Sequence, residues 1–233
     1  MSSCAAYPVI DFHTHIDRNA PLIVSANTVR VVSVPAAEAD LELPDNCIAT
    51  LELHPWGGAI WSDSFGELAR RKKFAGIGEV GLDRLKGKLP LDEQMLIFSN
   101  AAKLAQTLNK PLTVHCVKCF SELLQIYKSQ KWQVPTIIHY FCGKLELAQQ
   151  FWRDTHFVLS LPPKIYCQQK LLDFLQDHRE YHTRIVLETD DPHHGNIEEH
   201  YRIMAKALDI EFEALQKLMA EQFERLYNAG NIQ

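Results

Sequence analysis

Four things are scarce in this 233-residue chain, and each scarcity removes a class of protein. Positive charge is the first: 24 Lys and Arg against 29 Asp and Glu leave a net charge of −5. Proteins that grip long nucleic acid over their whole surface are usually basic. Any phosphate-bearing ligand must therefore be drawn by a local patch or by bound metal. Long apolar runs are the second, since none approaches the ~18 residues of a membrane span. The N-terminal stretch Met1–Pro8 has neither a basic segment nor an apolar one of the secretory kind. The third is a cysteine framework: Cys4, Cys47, Cys116, Cys119, Cys142 and Cys167 are scattered. A chain of this size does not need disulfide staples, so reduced thiols and a cytoplasmic location are expected. The fourth is low complexity: no repeat, linker or biased tract interrupts the chain. With 46% hydrophobic residues it can bury one sizeable core, and residues 1–233 read as one domain.

What is present is order. Short, mostly β-branched runs recur at Tyr7–His15, Thr28–Val34, Cys47–His54, Phe74–Glu79, Pro111–Cys116, Thr136–Phe141, His156–Leu161 and Arg184–Glu188. Continuous apolar runs of this length are the mark of strands buried on both faces. Amphipathic stretches separate the later runs: Leu91–Asn109, Ser121–Lys131, Lys144–Arg153, Cys167–His178 and Ile197–Leu208, with Glu211–Tyr227 closing the chain. Eight alternating units predict an α/β fold, a (β/α)₈ TIM barrel. The first two crossovers, 16–27 and 35–46, are near the minimum length for a parallel connection and carry Pro21, Pro35 and Pro44. Their outer helices are expected to be shortened or missing, with the flank covered by the C-terminal helix or by a second subunit of a homo-oligomer.

Potential metal ligands sit at the ends of the predicted strands. Strand one ends Asp11-Phe12-His13-Thr14-His15, and period-2 alternation turns both imidazoles to one side. Alone the pair means little, because eleven histidines in 233 residues give roughly 0.5 such pairs by chance. Position gives it weight: strand four ends in Glu79, strand five in His115, strand six in His139 and strand eight runs into Asp190. In a barrel these ends converge on the face where active sites lie. Four imidazoles and two carboxylates there make a two-metal set in which a shared carboxylate holds the ions ~3.5–4 Å apart. Nitrogen-rich ligands favour Zn²⁺ or Mn²⁺ over Mg²⁺. Other signals are weaker. Cys116-Val117-Lys118-Cys119 lacks the second pair of a zinc site, and His178 with His182 reads as a solvated helix end.

The runs Asp11–His15, Gly78-Glu79-Val80-Gly81-Leu82-Asp83, Val114-His115, His139–Gly143, Glu188-Thr189-Asp190 and Phe223–Asn228 resemble, in order and over nearly the whole chain, the successive motifs of TatD-type deoxyribonucleases of the amidohydrolase superfamily. The resemblance implies one divalent ion on His13, His15, Glu79 and Asp190, and a second on Glu79, His115 and His139. It implies a bridging role for Glu79 and a proton-accepting role for Asp190 toward a metal-bridging hydroxide. His54 in Leu53-His54-Pro55-Trp56 matches a family histidine near the substrate phosphate. The chain departs from the pattern after His115, where the family usually has arginine and here Cys116-Val117-Lys118 follows, and at Asp191, which replaces a small residue.

Arg18, Arg84, Lys86, Lys88, Lys118, Lys144 and Lys164 all follow predicted strand ends, where they would ring the site and steer a polyanion. Arg84, Lys118 and His193 join His54 as expected substrate contacts, with Trp56, Trp61 and Tyr166 placed to stack on bases. The expected activity is phosphodiester hydrolysis of DNA or a nucleotide. The same ligand set would serve an acyl ester or amide, such as an aminoacyl-tRNA or a small metabolite.

Overall fold

Runs of Val, Ile and Leu that must be buried on both faces leave few options besides a parallel sheet covered by helices. The computed structural model describes residues 7–16, 27–58, 60–191 and 196–228. Within them such runs form eight strands: β1 (Val9–Thr14), β2 (Thr28–Pro35), β3 (Cys47–Leu53), β4 (Phe74–Asp83), β5 (Leu112–Val117), β6 (Thr136–Ile138), β7 (Val158–Leu161) and β8 (Ile185–Leu187). Strand order follows chain order, and every neighbouring pair is parallel. The seven helices among the described residues are α1 (Asp63–Ala69), α2 (Leu91–Leu108), α3 (Phe120–Gln130), α4 (Leu145–Asp154), α5 (Gln169–Asp177), α6 (Ile197–Ala207) and α7 (Phe212–Phe223). None of them is long and apolar enough to cross a membrane.

The second crossover holds only a 3₁₀ turn, Ala36–Glu38, so its helix is missing as its prolines predicted. Most of the first crossover, residues 17–26, lies outside the described residues. The C-terminal helix packs on this side of the barrel: Phe223 meets Phe12 edge-on at 6.2 Å, and the Gln216 amide donates to the Tyr7 carbonyl at 2.8 Å. Two features differ from the sequence reading. Helix α1 was not anticipated, because seven residues containing Gly66 are too few for a periodic signal. Strand β4 runs on to Asp83, since Gly81, Leu82 and Asp83 stay in register with His115, Cys116 and Val117 of β5.

The eighth strand is short, and the barrel closes largely through side chains. One bridge joins Thr14 to Asp190: the Asp190 N–H donates to the His13 carbonyl, and the His15 N–H to the Asp190 carbonyl, both at 3.0 Å. Below it the buried Asp11 carboxylate accepts from the Thr189 N–H at 2.9 Å and from its hydroxyl at 2.6 Å. Burial pushes the Asp11 carboxyl up to about 7, only partly offset by these two bonds. Lower still, the buried Tyr201 hydroxyl accepts from the Ile10 N–H at 3.0 Å and donates to the Ile10 carbonyl at 2.8 Å. Helix α6 thus supplies the bonds a neighbouring strand would otherwise make. Replacing Tyr201 with Phe would leave both Ile10 groups buried and unpaired. The variant is expected to lose about 1–3 kcal/mol, read as a lower urea midpoint at unchanged m-value.

Candidate metal centre

Alternation along β1 carries Asp11, His13 and His15 to the same face, with Asp11 deepest at the seam and His15 half-exposed at the mouth. Beside them β4 brings Glu79, whose N–H is fixed by the Ser33 hydroxyl of β2 at 3.0 Å. Gly81 has to be glycine, because a Cβ there would lie 1.9 Å from the His115 carbonyl oxygen. That close approach holds β5, and with it His115, against the Glu79 strand. His139 follows β6, His54 follows β3, and Asp190 stands at the closing bridge in the left-handed region at φ 66°.

The five histidines His13, His15, His54, His115 and His139 converge on one carboxylate. Glu79 is buried, and its two oxygens divide the histidines between them. Oε2 lies 3.1 Å from His15 Nε2 and 3.3 Å from His13 Nε2. Oε1 lies 2.8 Å from His139 Nε2, 2.9 Å from His54 Nε2 and 2.5 Å from His115 Nδ1. Asp190 Oδ1 is 3.6 Å from the Nε2 atoms of both His13 and His15. Burial would raise the Glu79 carboxyl, but the imidazoles of His139, His115 and His13 overcome it and hold it well below the usual range. Burial drives His13 down to about 3, and it raises Asp190. His139 moves well above its ordinary value, because Glu79 and Glu188 outweigh its burial.

The donor set fits a metal. Atoms sharing one ion at 2.0–2.2 Å lie about 3–3.5 Å apart, and the separations around Glu79 fall close to that spacing. His13 Nε2 and His15 Nε2 lie 3.3 Å apart, the spacing of two ligands on one ion. Three ligand groups emerge: His13, His15 and Asp190; His13, Glu79 and His139; and His54, Glu79 and His115. His54 is excluded as a nitrogen ligand by its own bonding. Its Nδ1 accepts the Trp56 N–H at 3.0 Å, which leaves the proton on Nε2. That Nε2–H is a donor aimed at the cluster, suited to an anionic oxygen.

Several supporting carboxylates escaped attention in the sequence as ligand supports. Asp83 Oδ2 lies 3.0 Å from His115 Nε2 and accepts the Trp56 indole N–H at 2.6 Å. Glu188 approaches His139 Nδ1 at 3.4 Å and accepts the Tyr140 N–H at 2.6 Å. Glu52 lies 3.6 Å from His15 Nδ1. Asp83 and Glu188 were visible only as members of motifs; nothing in spacing along the chain assigns them a histidine to orient.

The substrate contacts read from the sequence are dispersed. The Arg84 guanidinium pairs with the Glu122 carboxylate, and its Nε donates to the Lys118 carbonyl at 3.3 Å. Neither Arg84 nor Lys118 lines the cavity of about 650 Å³ above Glu79, whereas Lys86 does. Lys144 and Lys164 are exposed and also lie off that lining. Arg18 and His193 lie outside the described residues. Of the three stacking candidates, Trp56 alone lines the cavity. Trp61 packs on Phe65 at 5.4 Å, and the Tyr166 hydroxyl is held 2.5 Å from His200 Nδ1. Helix-turn packing claimed both rings.

An eight-stranded parallel β/α barrel with a histidine–carboxylate metal centre at the C-terminal ends of its strands defines a class of barrel metalloproteins. Residues 10–228 match the family described as TatD related DNase, and the chain belongs to that family. A 3'-5' ssDNA/RNA exonuclease, TatD, of Klebsiella pneumoniae is 31% identical over 109 residues, 45% of this chain and 41% of the relative. YabD of Bacillus subtilis, described as an uncharacterized metal-dependent hydrolase, is 30% identical over 129 residues, 54% and 49% of the two chains. The matched region thus spans about half the length of these curated relatives. A crystal structure of a TatD homologue from Escherichia coli superposes with a TM-score of 0.75 at 19% identity, covering 94% of this chain and 98% of the other.

A carboxylate that orients a ligand histidine affects metal affinity without touching the ion. Asp83→Asn is expected to weaken metal binding by about 10- to 100-fold, measured by competition with a chromogenic chelator. Unchanged affinity would show that His115 needs no such support.

Proposed function

We propose that this chain is a divalent-metal-dependent phosphodiesterase acting on nucleic acid, in which His13, His15, Glu79 and Asp190 would hold one ion and Glu79, His115 and His139 a second. The observation that carries this reading is the division of the Glu79 carboxylate, one oxygen toward His13 and His15 and the other toward His115 and His139. The nuclease descriptions of its relatives favour phosphorus over carbonyl carbon as the centre attacked. The nitrogen-rich ligands favour Zn²⁺ or Mn²⁺. Five described cysteines are free thiols, which suits a reducing cytoplasm.

Bound divalent ions make hydroxide available near neutral pH and polarise a phosphoryl oxygen. The protein's own groups do the rest. Asp190, partly exposed at the mouth and 3.6 Å from His13 and His15, accepts the proton of the attacking water. Water oxygen bonds to phosphorus, the bond to the leaving oxygen breaks, and that oxygen takes up a proton. His54 keeps its Nε2–H turned into the cluster and donates it to a non-bridging phosphoryl oxygen. Glu79 stays ionised beneath, because buried imidazoles surround it.

The test is turnover of a phosphodiester panel beside an ester and amide panel, with Mg²⁺, Mn²⁺ and Zn²⁺ in parallel. Phosphodiesters are expected to be cleaved, and Glu79→Gln to bring cleavage to background and lower metal content. Faster turnover of carbonyl substrates, or an active Glu79→Gln protein, would overturn the reading. Chelation is expected to abolish cleavage reversibly and to lower the Tm, since an ion that binds only the folded state stabilises it.

A further inference from the structure

We propose that Trp56, with Lys86, forms a nucleobase subsite beside the metal centre, in which the indole takes one base and the ammonium the neighbouring phosphate. The inference rests on the phosphodiester reading for its chemistry, but the subsite has its own evidence.

Trp56 is 42% exposed, an unusual position for the largest side chain. Its indole N–H is fastened to Asp83 at 2.6 Å, and its ring makes T-shaped contacts with His54 and His115, centroids 4.8 and 5.7 Å apart. The ring is therefore pinned against two members of the histidine cluster while presenting free surface to the cavity. Lys86 is anchored by the same carboxylate, its N–H donating to Asp83 Oδ1 at 2.9 Å, and its ammonium lies 4.3 Å above the Trp56 ring. A flexible four-carbon stem lets that ammonium leave the ring for a neighbouring phosphate when a base arrives. Leu85 and Tyr140, 68% and 39% exposed, add apolar surface to the same cavity. Its size suits a ligand of nucleotide dimensions.

Charge points the same way. Lys86 is the one Lys or Arg among the described residues that line the cavity, which also carries Glu79, Asp83, Asp190 and Asp191. Arg84, the nearest guanidinium in sequence, is committed to Glu122. Among the described residues the wall offers one Lys or Arg, a poor track for a polyanion, whereas stacking on an aromatic face accepts any base.

Single-stranded oligonucleotides of two and twelve residues, with ordinary or abasic terminal residues, test this with Mn²⁺ present. Trp56→Ala is expected to raise KM roughly 5- to 150-fold more on ordinary ends than on abasic ends, while Trp56→Phe restores most of that difference. KM is expected to be similar for the two lengths, and log(1/KM) to fall with log[salt] at a slope near −0.7, the value for about one phosphate contact on a single strand. Lys86→Ala should flatten that slope. As a readout without turnover, thymidine monophosphate should quench the wild-type indole fluorescence, deoxyribose phosphate should not, and Trp56→Phe should lose the response. Equal effects of Trp56→Ala on ordinary and abasic ends, or a salt slope of several contacts, would overturn the proposal. Quenching without cleavage of any diester would leave the subsite standing and remove the phosphodiesterase reading instead.

Discussion

A single buried carboxylate governs this structure. Removing Glu79 from water opposes its charge, and what keeps it ionised is a shell of imidazole nitrogens at 2.5–3.3 Å. No short stretch of chain can assemble such a shell. It needs histidines delivered from the ends of β1, β3, β5 and β6, at one level and pointing inward, and a parallel barrel delivers them because strand ends gather on one face. The arrangement is poised for cations: carboxylate oxygens and lone-pair nitrogens crowd together at the spacing of ligands around an ion. The supporting carboxylates Asp83, Glu52 and Glu188 form a further layer that approaches the outer nitrogens of His115, His15 and His139.

The same demand explains how the barrel closes. Asp190 must stand beside His13 and His15, so the chain leaves β8 after Leu187 and turns through a left-handed residue. Among the described residues the seam carries one backbone bridge, between Thr14 and Asp190, so other polar groups along β1 need partners of another kind. Asp11 and Tyr201 repair the gap, one through Thr189 and the other by taking both polar groups of Ile10. Site and seam are therefore one construction. The motif Asp11-Phe12-His13-Thr14-His15 supplies alternately a seam carboxylate, two ligands and, through Phe12, a contact to the C-terminal helix.

Strands were legible because burial on both faces demands unbroken β-branched runs, and the missing second helix was legible because proline and shortness forbid it. Helix α1 was not, since seven residues carry too little periodicity. The clustering of His13, His15, Glu79, His115, His139 and Asp190 could be read from residue type at strand ends. The basic ring could not survive the same inference. Arg84 follows a strand end as Lys86 does, yet Glu122 of α3 takes its guanidinium while Lys86 turns into the cavity. Trp56 and Tyr166 looked alike in sequence and separate in space, one held by Asp83 at the cavity wall and the other by His200 in packing.

By itself the sequence determined the barrel, the family and the chemical character of the centre, because alternation, burial and ligand type are properties of short segments. The tertiary structure decided everything that depends on partners distant along the chain. It divided the Glu79 oxygens between two histidine groups, and it put the His54 proton on Nε2 through a turn N–H. Among the described residues it also turned one lysine and a pinned tryptophan to the cavity. A side chain's direction is settled by what packs and bonds around it, and those neighbours are assembled only when the barrel closes.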